Sequence, residues 1–250
     1  NNKSSLTTSN VRYEGNYTLS STNNLTVGNG GAVYNNGVFT SVNDLYTGNY
    51  ASNGGAVYSA SNVMYKSANQ VVQNANTFIK NATFSYNEAR ANSKVAKTGN
   101  GGAVYVQAGS APYGRQSEVY NHVNIYNSTF TNNKADVYGG AIYADQYSIV
   151  TLKDVTVTNN GAVQSGGAIF ADAYSIIEII AKDRDVVIKD NWYGPEVTWG
   201  NENSRNDITL AYGSQLKLDP YKGRTITIDY ISTYKDRESN KIYSKERRIF

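Results

Sequence analysis

Thr129-Phe130-Thr131-Asn132-Asn133-Lys134-Ala135 leads into Gly139-Gly140-Ala141-Ile142-Tyr143, and Val157-Thr158-Asn159-Asn160 leads into Gly166-Gly167-Ala168-Ile169-Phe170. Two short elements recur here in one order, and both can be followed outward along the chain. The glycine element returns as Gly30-Gly31-Ala32-Val33-Tyr34, Gly54-Gly55-Ala56-Val57-Tyr58 and Gly101-Gly102-Ala103-Val104-Tyr105. The other element is an apolar or aromatic residue, then Asn three positions on, then a small residue; it returns as Tyr46/Asn49/Ala51 and Phe84/Asn87/Ala89. Tyr13/Asn16/Thr18 is a weaker copy, and Ile188/Asn191 opens another that finds no Gly-Gly partner. An ordered pair of motifs repeated along a chain marks a repeat architecture.

Each element has a physical reading. Val or Ile followed by Tyr or Phe favours a short extended strand. A glycine pair permits positive φ and close backbone approach, as a sharp corner requires. Asn tolerates the left-handed region and hydrogen-bonds its own backbone, which suits Asn49, Asn87, Asn133 and Asn160 to the other corner. No helical pattern separates the strands, so βαβ crossovers are excluded. A unit this short closes a core only by stacking on copies of itself.

The sequence therefore predicts an all-β chain wound as a right-handed parallel β-helix, with like residues in columns and aligned Asn side chains in an amide ladder. Successive glycine pairs lie 24, 47, 38 and 27 positions apart. Taking 24 as one unit and 47 as two gives about nine or ten coils, a rod on the order of 45 Å long at ~4.8 Å per coil. By period two, Ala32 and Tyr34 share one face and Val33 takes the other. The expected arrangement has Val/Ile inward and the Tyr/Phe column lining the outer surface.

Composition agrees. Tyr and Gly each occur 22 times and Asn 32 times, whereas Pro occurs 3 times, Met once and Cys never. That is the make-up of strands joined by tight turns, not of a disordered chain. A net charge of +3 from 23 basic and 20 acidic residues is too balanced for a nucleic-acid or membrane-surface binder. No apolar run approaches the ~18 residues of a membrane span. Absence of Cys excludes disulfides and Cys-ligated metals and fits export through an oxidising compartment. The opening Asn1-Asn2-Lys3-Ser4 shows neither initiator Met nor signal peptide and reads as a fragment of something longer. The expected organisation is one β-helical domain over 1–230, with loops near 62–77, 90–99, 107–121 and 192–205. Residues 231–250, where Lys235, Arg237, Lys241, Lys245, Arg247 and Arg248 interleave with Asp236, Glu238 and Glu246, read as a charged tail or end cap.

The alternating Gly-Gly-Ala-Ile/Val and Phe-x-x-Asn motifs resemble the repeats of chlamydial polymorphic outer-membrane proteins and related autotransporter passengers. Residues 129–170 carry the resemblance most closely, and the motifs cover roughly 11–191. The ending, Ile208-Thr209-Leu210, Leu216-Lys217-Leu218, Gly223 and Ile226-Thr227-Ile228, is similar to the last coils of such passengers. The resemblance implies a right-handed β-helix carried to a bacterial surface by a C-terminal β-barrel, commonly serving adhesion. No series of ~10-residue alternating strands of that barrel follows residue 208 here.

β-Helices also house glycosidases and polysaccharide lyases, which need paired carboxylates or stacked acidic metal ligands. Asp183, Asp185 and Asp190 near Glu178 are the best acidic cluster, but Lys182, Arg184 and Lys189 alternate with them, as on a solvated strand face. The sole His, His122, lacks a Ser, Cys or Asp constellation in local sequence. No glycine string is followed by the Lys-Ser/Thr and helix of a phosphate cradle. The reading is accordingly of no catalytic residues, no metal and no cofactor.

Candidate contact residues lie where the repeat breaks. Tyr113 and Arg115 sit in the insert 107–121, and Trp192, Tyr193 and Trp199 in 192–205 beside Gly and Pro. Such residue types are favoured at binding hot spots, although the tryptophans could instead plug an irregular coil. The expected function is a non-enzymatic, extracellular, monomeric rod displayed on a bacterial surface, binding a protein or glycan of a host or neighbouring cell. The alternatives are a carbohydrate-active β-helix enzyme or a purely structural stalk.

Overall fold

The computed structural model describes residues 4–18, 27–62, 73–74, 76–109, 120–234 and 242–249. Short strands pair in parallel with their equivalents one coil away, and the columns of strands form the faces of a parallel β-helix. The longest face stacks Ser5–Ser9, Val38–Val42, Asn76–Lys80, Asn121–Tyr126, Ser148–Lys153, Ile176–Ala181 and Gln215–Pro220. A second face stacks Arg12–Glu14, Leu45–Thr47, Thr83–Ser85, Thr129–Thr131, Thr156–Thr158 and Val186–Lys189. A third, narrow face holds Tyr50–Ala51, Glu88–Ala89, Lys134–Ala135, Gly161–Ala162 and Trp192–Tyr193. The fourth carries the pentapeptide strands Val33–Asn35, Val57–Ser59, Val104–Val106, Ile142–Ala144, Ile169–Ala171 and Ile208–Leu210.

The longest face has seven strands, one per coil, so the described residues make seven coils where the glycine spacing predicts nine or ten. The reason is register. Val57 pairs directly with Val104, so the step of 47 residues is one coil swollen by inserts and not two coils of 24. Six spacings of ~4.8 Å span about 29 Å, shorter than expected. The uninterrupted coils run from Val33 to Val57 and from Ile142 to Ile169, each a pair of direct partners.

The interior is the predicted set of columns. Ile79, Ile125, Leu152 and Ile179 are fully buried on the longest face, opposite the fully buried Val57, Val104, Ile142 and Ile169. Between them Tyr13, Tyr46, Phe84 and Phe130 stack nearly parallel, with ring centroids 4.8, 4.5 and 4.6 Å apart. Those separations are the strand spacing itself: a parallel in-register sheet brings identical rings into offset-stacking range. From Val157 the column turns aliphatic.

At the glycine corner both expected roles are met, each by a different residue. Gly30, Gly54, Gly101, Gly139 and Gly166 have φ from 62° to 69°. Gly31, Gly55, Gly102, Gly140 and Gly167 lie so close to the next coil that a Cβ would collide with backbone; for Gly102 it would meet the Gly140 carbonyl. The asparagine corner needs a correction. The left-handed residue there is the one before the motif Asn, namely Gly48, Tyr86, Asn132, Asn159 and Asp190. The motif Asn itself turns inward, which burial of its amide requires.

Asn49, Asn87, Asn133, Asn160 and Asn191 are at most 1% exposed. Each of the first four donates from Nδ2 to Oδ1 of the next Asn down the rod, at 2.9 Å from Asn49 to Asn87, Asn87 to Asn133 and Asn133 to Asn160, and 3.0 Å from Asn160 to Asn191. The same Oδ1 atoms also accept from the backbone N–H of the preceding Asn, as Asn133 does from Asn87 at 3.0 Å. The predicted amide ladder is therefore continuous, and it satisfies corner polar groups that water does not reach.

Two expectations about the pentapeptide faces change. Ala56, Ala103, Ala141 and Ala168 join the interior with Val57, Val104, Ile142 and Ile169, because the strand alternation does not extend back through the corner. There one carbonyl takes two consecutive N–H groups: Ala103 O accepts from both Ala56 and Val57. The Tyr/Phe column does point away from that core, but Tyr58, Tyr105, Tyr143 and Phe170 are only 3–7% exposed and form a cluster of their own. Only Tyr34, in the first coil, lies open.

Part of the cover is the insert 90–99. It folds back on the rod instead of standing away from it, with Val95 and Thr98 buried and Gly99 N bonded to Ser52 O. Ser61–Asn62 and Gln73–Asn74 pair antiparallel at the base of the insert 62–77, whose residues 63–72 and 75 lie outside the described residues. At the far end, Ile226–Tyr234 serves two faces, pairing with Val186–Ile188 and with Ile208–Leu210. Ile242–Ile249 then runs antiparallel along it.

Candidate functional site

The break after Asn191 builds the most distinctive surface of the rod. Asn191 ends its motif as the other copies do, so Trp192 and Tyr193 extend the narrow face in register with Gly161 and Ala162. The chain then leaves the coil through two 3-10 turns, Glu196–Thr198 and Glu202–Ser204, and rejoins at Asn206 and Asp207. Arg205 and Asn206 take the place of the missing glycine pair, with Asn206 against Gly167, and Asp207 stands in the slot of the pentapeptide alanine, accepting from the N–H groups of Ala168 and Ile169.

Trp199 closes this insert onto the rod. Its indole lies over Gly161, at a distance only a residue without Cβ allows, and its Nε1 donates to Gly194 O at 3.0 Å. Lys134 Nζ reaches Glu196 Oε2 at 2.8 Å, tying the insert to the coil two turns earlier. This bond is the main reason the Lys134 pKa is raised, against the opposing effect of burial. The Arg205 guanidinium lies 5.6 Å from the Trp192 ring and within 3.6–3.7 Å of Asp190 and Asp229 carboxylate oxygens.

Between the insert and the narrow face runs a groove of about 580 Å³, lined by Tyr86, Asn87, Glu88, Asn132, Lys134, Asn159, Trp192, Glu196, Trp199 and Gly200. Tyr86, Asn132 and Asn159 are the left-handed corner residues of three successive coils, so the corner geometry aims them into one line. Tyr86 is 65% exposed. The groove thus offers aromatic surface, amides and an ion pair together, a combination suited to a polar ligand with flat apolar faces.

Of the residues singled out in the sequence, Trp192 and Trp199 meet in this groove, half-buried, and Tyr193 follows Trp192 in its strand. Tyr113 and Arg115 lie outside the described residues. The acidic candidates are dispersed into structural pairs. Asp183 meets Lys153 at 3.3 Å, Asp190 meets Arg205 and Glu178 meets Lys217 at 3.2 Å, while Asp185 accepts from Thr225 N at 2.9 Å. His122 points outward beside Ile149, and partial burial lowers its pKa. Among the described residues, no three His, Cys, Asp or Glu are grouped to hold a metal, and no helix is long and apolar enough to cross a membrane.

Tyr86, Glu88, Lys134 and Glu196 escaped the sequence reading. For Tyr86 a signal exists: it precedes Asn87 where Asn132 and Asn159 precede Asn133 and Asn160, so an aromatic ring stands in a slot otherwise filled by small turn formers. The others depend on how the insert lies against the coils, which no local pattern encodes.

Coils of short parallel strands, glycine corners in contact and a continuous internal amide ladder define a parallel β-helix repeat protein. Three stretches, residues 78–107, 127–145 and 154–172, match the Chlamydia polymorphic membrane protein (Chlamydia_PMP) repeat, so the chain carries repeats of that family. No curated protein and no solved structure matches it. The repeat family points to a surface or autotransporter passenger protein.

Proposed function

We propose that this chain is the rod of a non-enzymatic surface adhesin, exported as an autotransporter passenger and displayed outside a bacterial cell. The groove beside Trp199 is its contact site for a host or neighbouring cell. The observation that supports this reading is the alignment of Tyr86, Asn132 and Asn159 from three coils opposite an insert that carries both tryptophans. Half-buried indoles supply the flat surfaces on which sugar rings stack, and the amides with Lys134, Glu88 and Glu196 supply donors and acceptors for hydroxyls. A cell-surface glycan is accordingly the favoured ligand class, and the rod works as a monomer.

The test is binding of the intact chain to an array of host-cell glycans, followed by two variants. Trp199→Ala removes the indole over Gly161. Tyr86→Asn places in the first coil of the groove the residue that its neighbours already carry, so it preserves the left-handed corner. Both variants should keep the wild-type circular dichroism signal and weaken glycan binding at least tenfold. No array binding, or binding that survives both substitutions, would overturn the proposal.

A further inference from the structure

A second cavity, of about 660 Å³, lies on another face of the rod, where the insert 90–99 folds over the outer aromatic column. Its lining includes the apolar side chains of Val95, Val137 and Phe170 together with the polar Asp145, Asp172 and Asn100. The polar groups have a common character. Asp145 Oδ2 accepts from Tyr105 Oη and Asp172 Oδ2 from Tyr143 Oη, each at 2.7 Å. Both carboxylates are thereby held in place against the aromatic column.

Asn100 adds an observation of a different kind. It is 5% exposed, it lines the cavity, and its Oδ1 has no hydrogen-bond partner. The orphan has a structural origin. The residue before each glycine pair is Asn29, Asn53, Asn100, Tyr138 and Ser165 in successive coils. Asn53 Nδ2 donates back to Asn29 Oδ1 at 3.2 Å and Asn100 Nδ2 back to Asn53 Oδ1 at 3.4 Å, so this column runs opposite to the buried ladder. Asn100 Oδ1 would take its donor from the following coil, and there Tyr138 stands with its ring stacked on Phe170. A buried acceptor left without a donor loses its hydration without replacement.

Two anchored carboxylates and one orphaned buried acceptor together with apolar side chains define a site for a group that is cationic, rich in N–H donors and attached to a hydrocarbon stem. We infer that this cavity binds a primary alkylammonium group, as carried by a free polyamine or by a lysine side chain. The ammonium has three donors and no acceptor, which matches Asp145, Asp172 and Asn100 Oδ1, and its methylene stem lies along Val95, Val137 and Phe170. Burial raises the Asp145 pKa, as expected of a carboxylate whose counter-charge is incomplete. The protein's own cation here is Lys97, an exposed side chain on the covering insert; its charge is felt at Asp145 without an ion pair. It competes with the ligand.

Calorimetric titration of the intact chain with spermidine, with Nα-acetyl-lysine amide and with neutral 1-pentanol tests this. At least one of the two ammonium probes should bind at least tenfold more tightly than the alcohol, and which of them binds distinguishes the free amine from the side chain. Asp145→Asn and Asp172→Asn should each weaken that binding at least tenfold. Lys97→Asn, which keeps a residue tolerant of the φ of 57° at that position, should tighten it several-fold. Equal binding of pentanol, ammonium binding indifferent to both Asp substitutions, or weakening by Lys97→Asn would each overturn the inference. Glycan binding in the groove is read in a separate assay, so either result stands without the other.

Discussion

Two columns of asparagine run along this rod and end differently. The column from Asn49 to Asn191 donates forward, each Nδ2 to the next Oδ1, and ends on Asp207, whose Oδ1 accepts from Asn191 Nδ2 at 2.7 Å. The column of Asn29, Asn53 and Asn100 donates backward and ends on an acceptor with nothing to accept. An amide ladder has a direction, and the direction decides which residue can terminate it. An acceptor oxygen, such as that of the Asp207 carboxyl, closes a forward ladder. A backward ladder needs a terminal donor, and Tyr138 supplies none to Asn100. One column therefore reads as pure structure, and the loose end of the other opens onto a cavity.

Breaking the forward column should have the largest effect. Asn133→Ala removes the acceptor of Asn87 N and Nδ2 and the donor to Phe84 O and Asn160 Oδ1. Leaving several buried polar groups unmatched should destabilise the fold by roughly 4–5 kcal/mol, read as a lower chemical-denaturation midpoint.

The terminator of that column should make stability depend on pH. Burial pushes the Asp207 carboxyl up to about 7, against hydrogen bonds from Asn191 and Tyr230 N. A raised folded-state pKa means that the native state holds the proton more tightly than the unfolded chain. The contribution of Asp207 is therefore greatest below about pH 4 and declines as pH rises to about 7, by roughly 3–4 kcal/mol at about 1.4 kcal/mol per pH unit. Denaturation midpoints measured across that range should show the decline, and Asp207→Asn should flatten it.

In the backward column the damage should be smaller. Asn53→Ala strips Asn100 N of its acceptor and Lys97 O of a donor, but the column is already incomplete below it; a loss of roughly 2 kcal/mol is expected by the same measurement. Smallest of all should be Asn81→Ala, in the exposed file where Asn81 bonds Asn43 at 2.9 Å and Asn127 bonds Asn81 at 2.8 Å. Water replaces those amides and the hydrogen-bond loss stays below about 0.5 kcal/mol, although Ala also fits the φ of 56° less well. If Asn81→Ala proved as damaging as Asn133→Ala, burial would not be what separates the ladders.

Much of this was legible in the chain because the corners impose chemistry that few residues satisfy. A glycine pair at each sharp approach and an inward Asn at each opposite corner recur wherever a coil closes, whatever lies between. Coil number was less legible, since a spacing of 47 residues does not say whether it holds two coils or one coil with inserts; only the pairing of Val57 with Val104 decides it. The left-handed position lies one residue before the motif Asn that the sequence suggests, because Asn is equally apt for a turn and for a ladder. Burial of Tyr58, Tyr105 and Tyr143 could not be read from strand alternation, which gives the direction of a side chain but not what later folds over it. The cavity did leave a trace: Ala144-Asp145-Gln146-Tyr147-Ser148 recurs as Ala171-Asp172-Ala173-Tyr174-Ser175, with Tyr147 and Tyr174 both left-handed. That repeat places the two carboxylates in adjacent coils, but the orphaned amide beside them appears only when the ladder is traced.

The central claim is the register of the stacked coils, and the absence of native cysteine makes it directly measurable. Ser85 and Thr131 are paired outward-facing neighbours in adjacent coils, and Thr131 pairs in turn with Thr158. Adjacent coils place paired Cα atoms ~4.8 Å apart, within disulfide range, whereas two coils place them about 9.6 Å apart, beyond it. Under mild oxidation, the double variant Ser85→Cys with Thr131→Cys should form an intramolecular disulfide, and Ser85→Cys with Thr158→Cys should stay reduced. Ready cross-linking of Ser85→Cys to Thr158→Cys, with none to Thr131→Cys, would contradict the stacked-coil account.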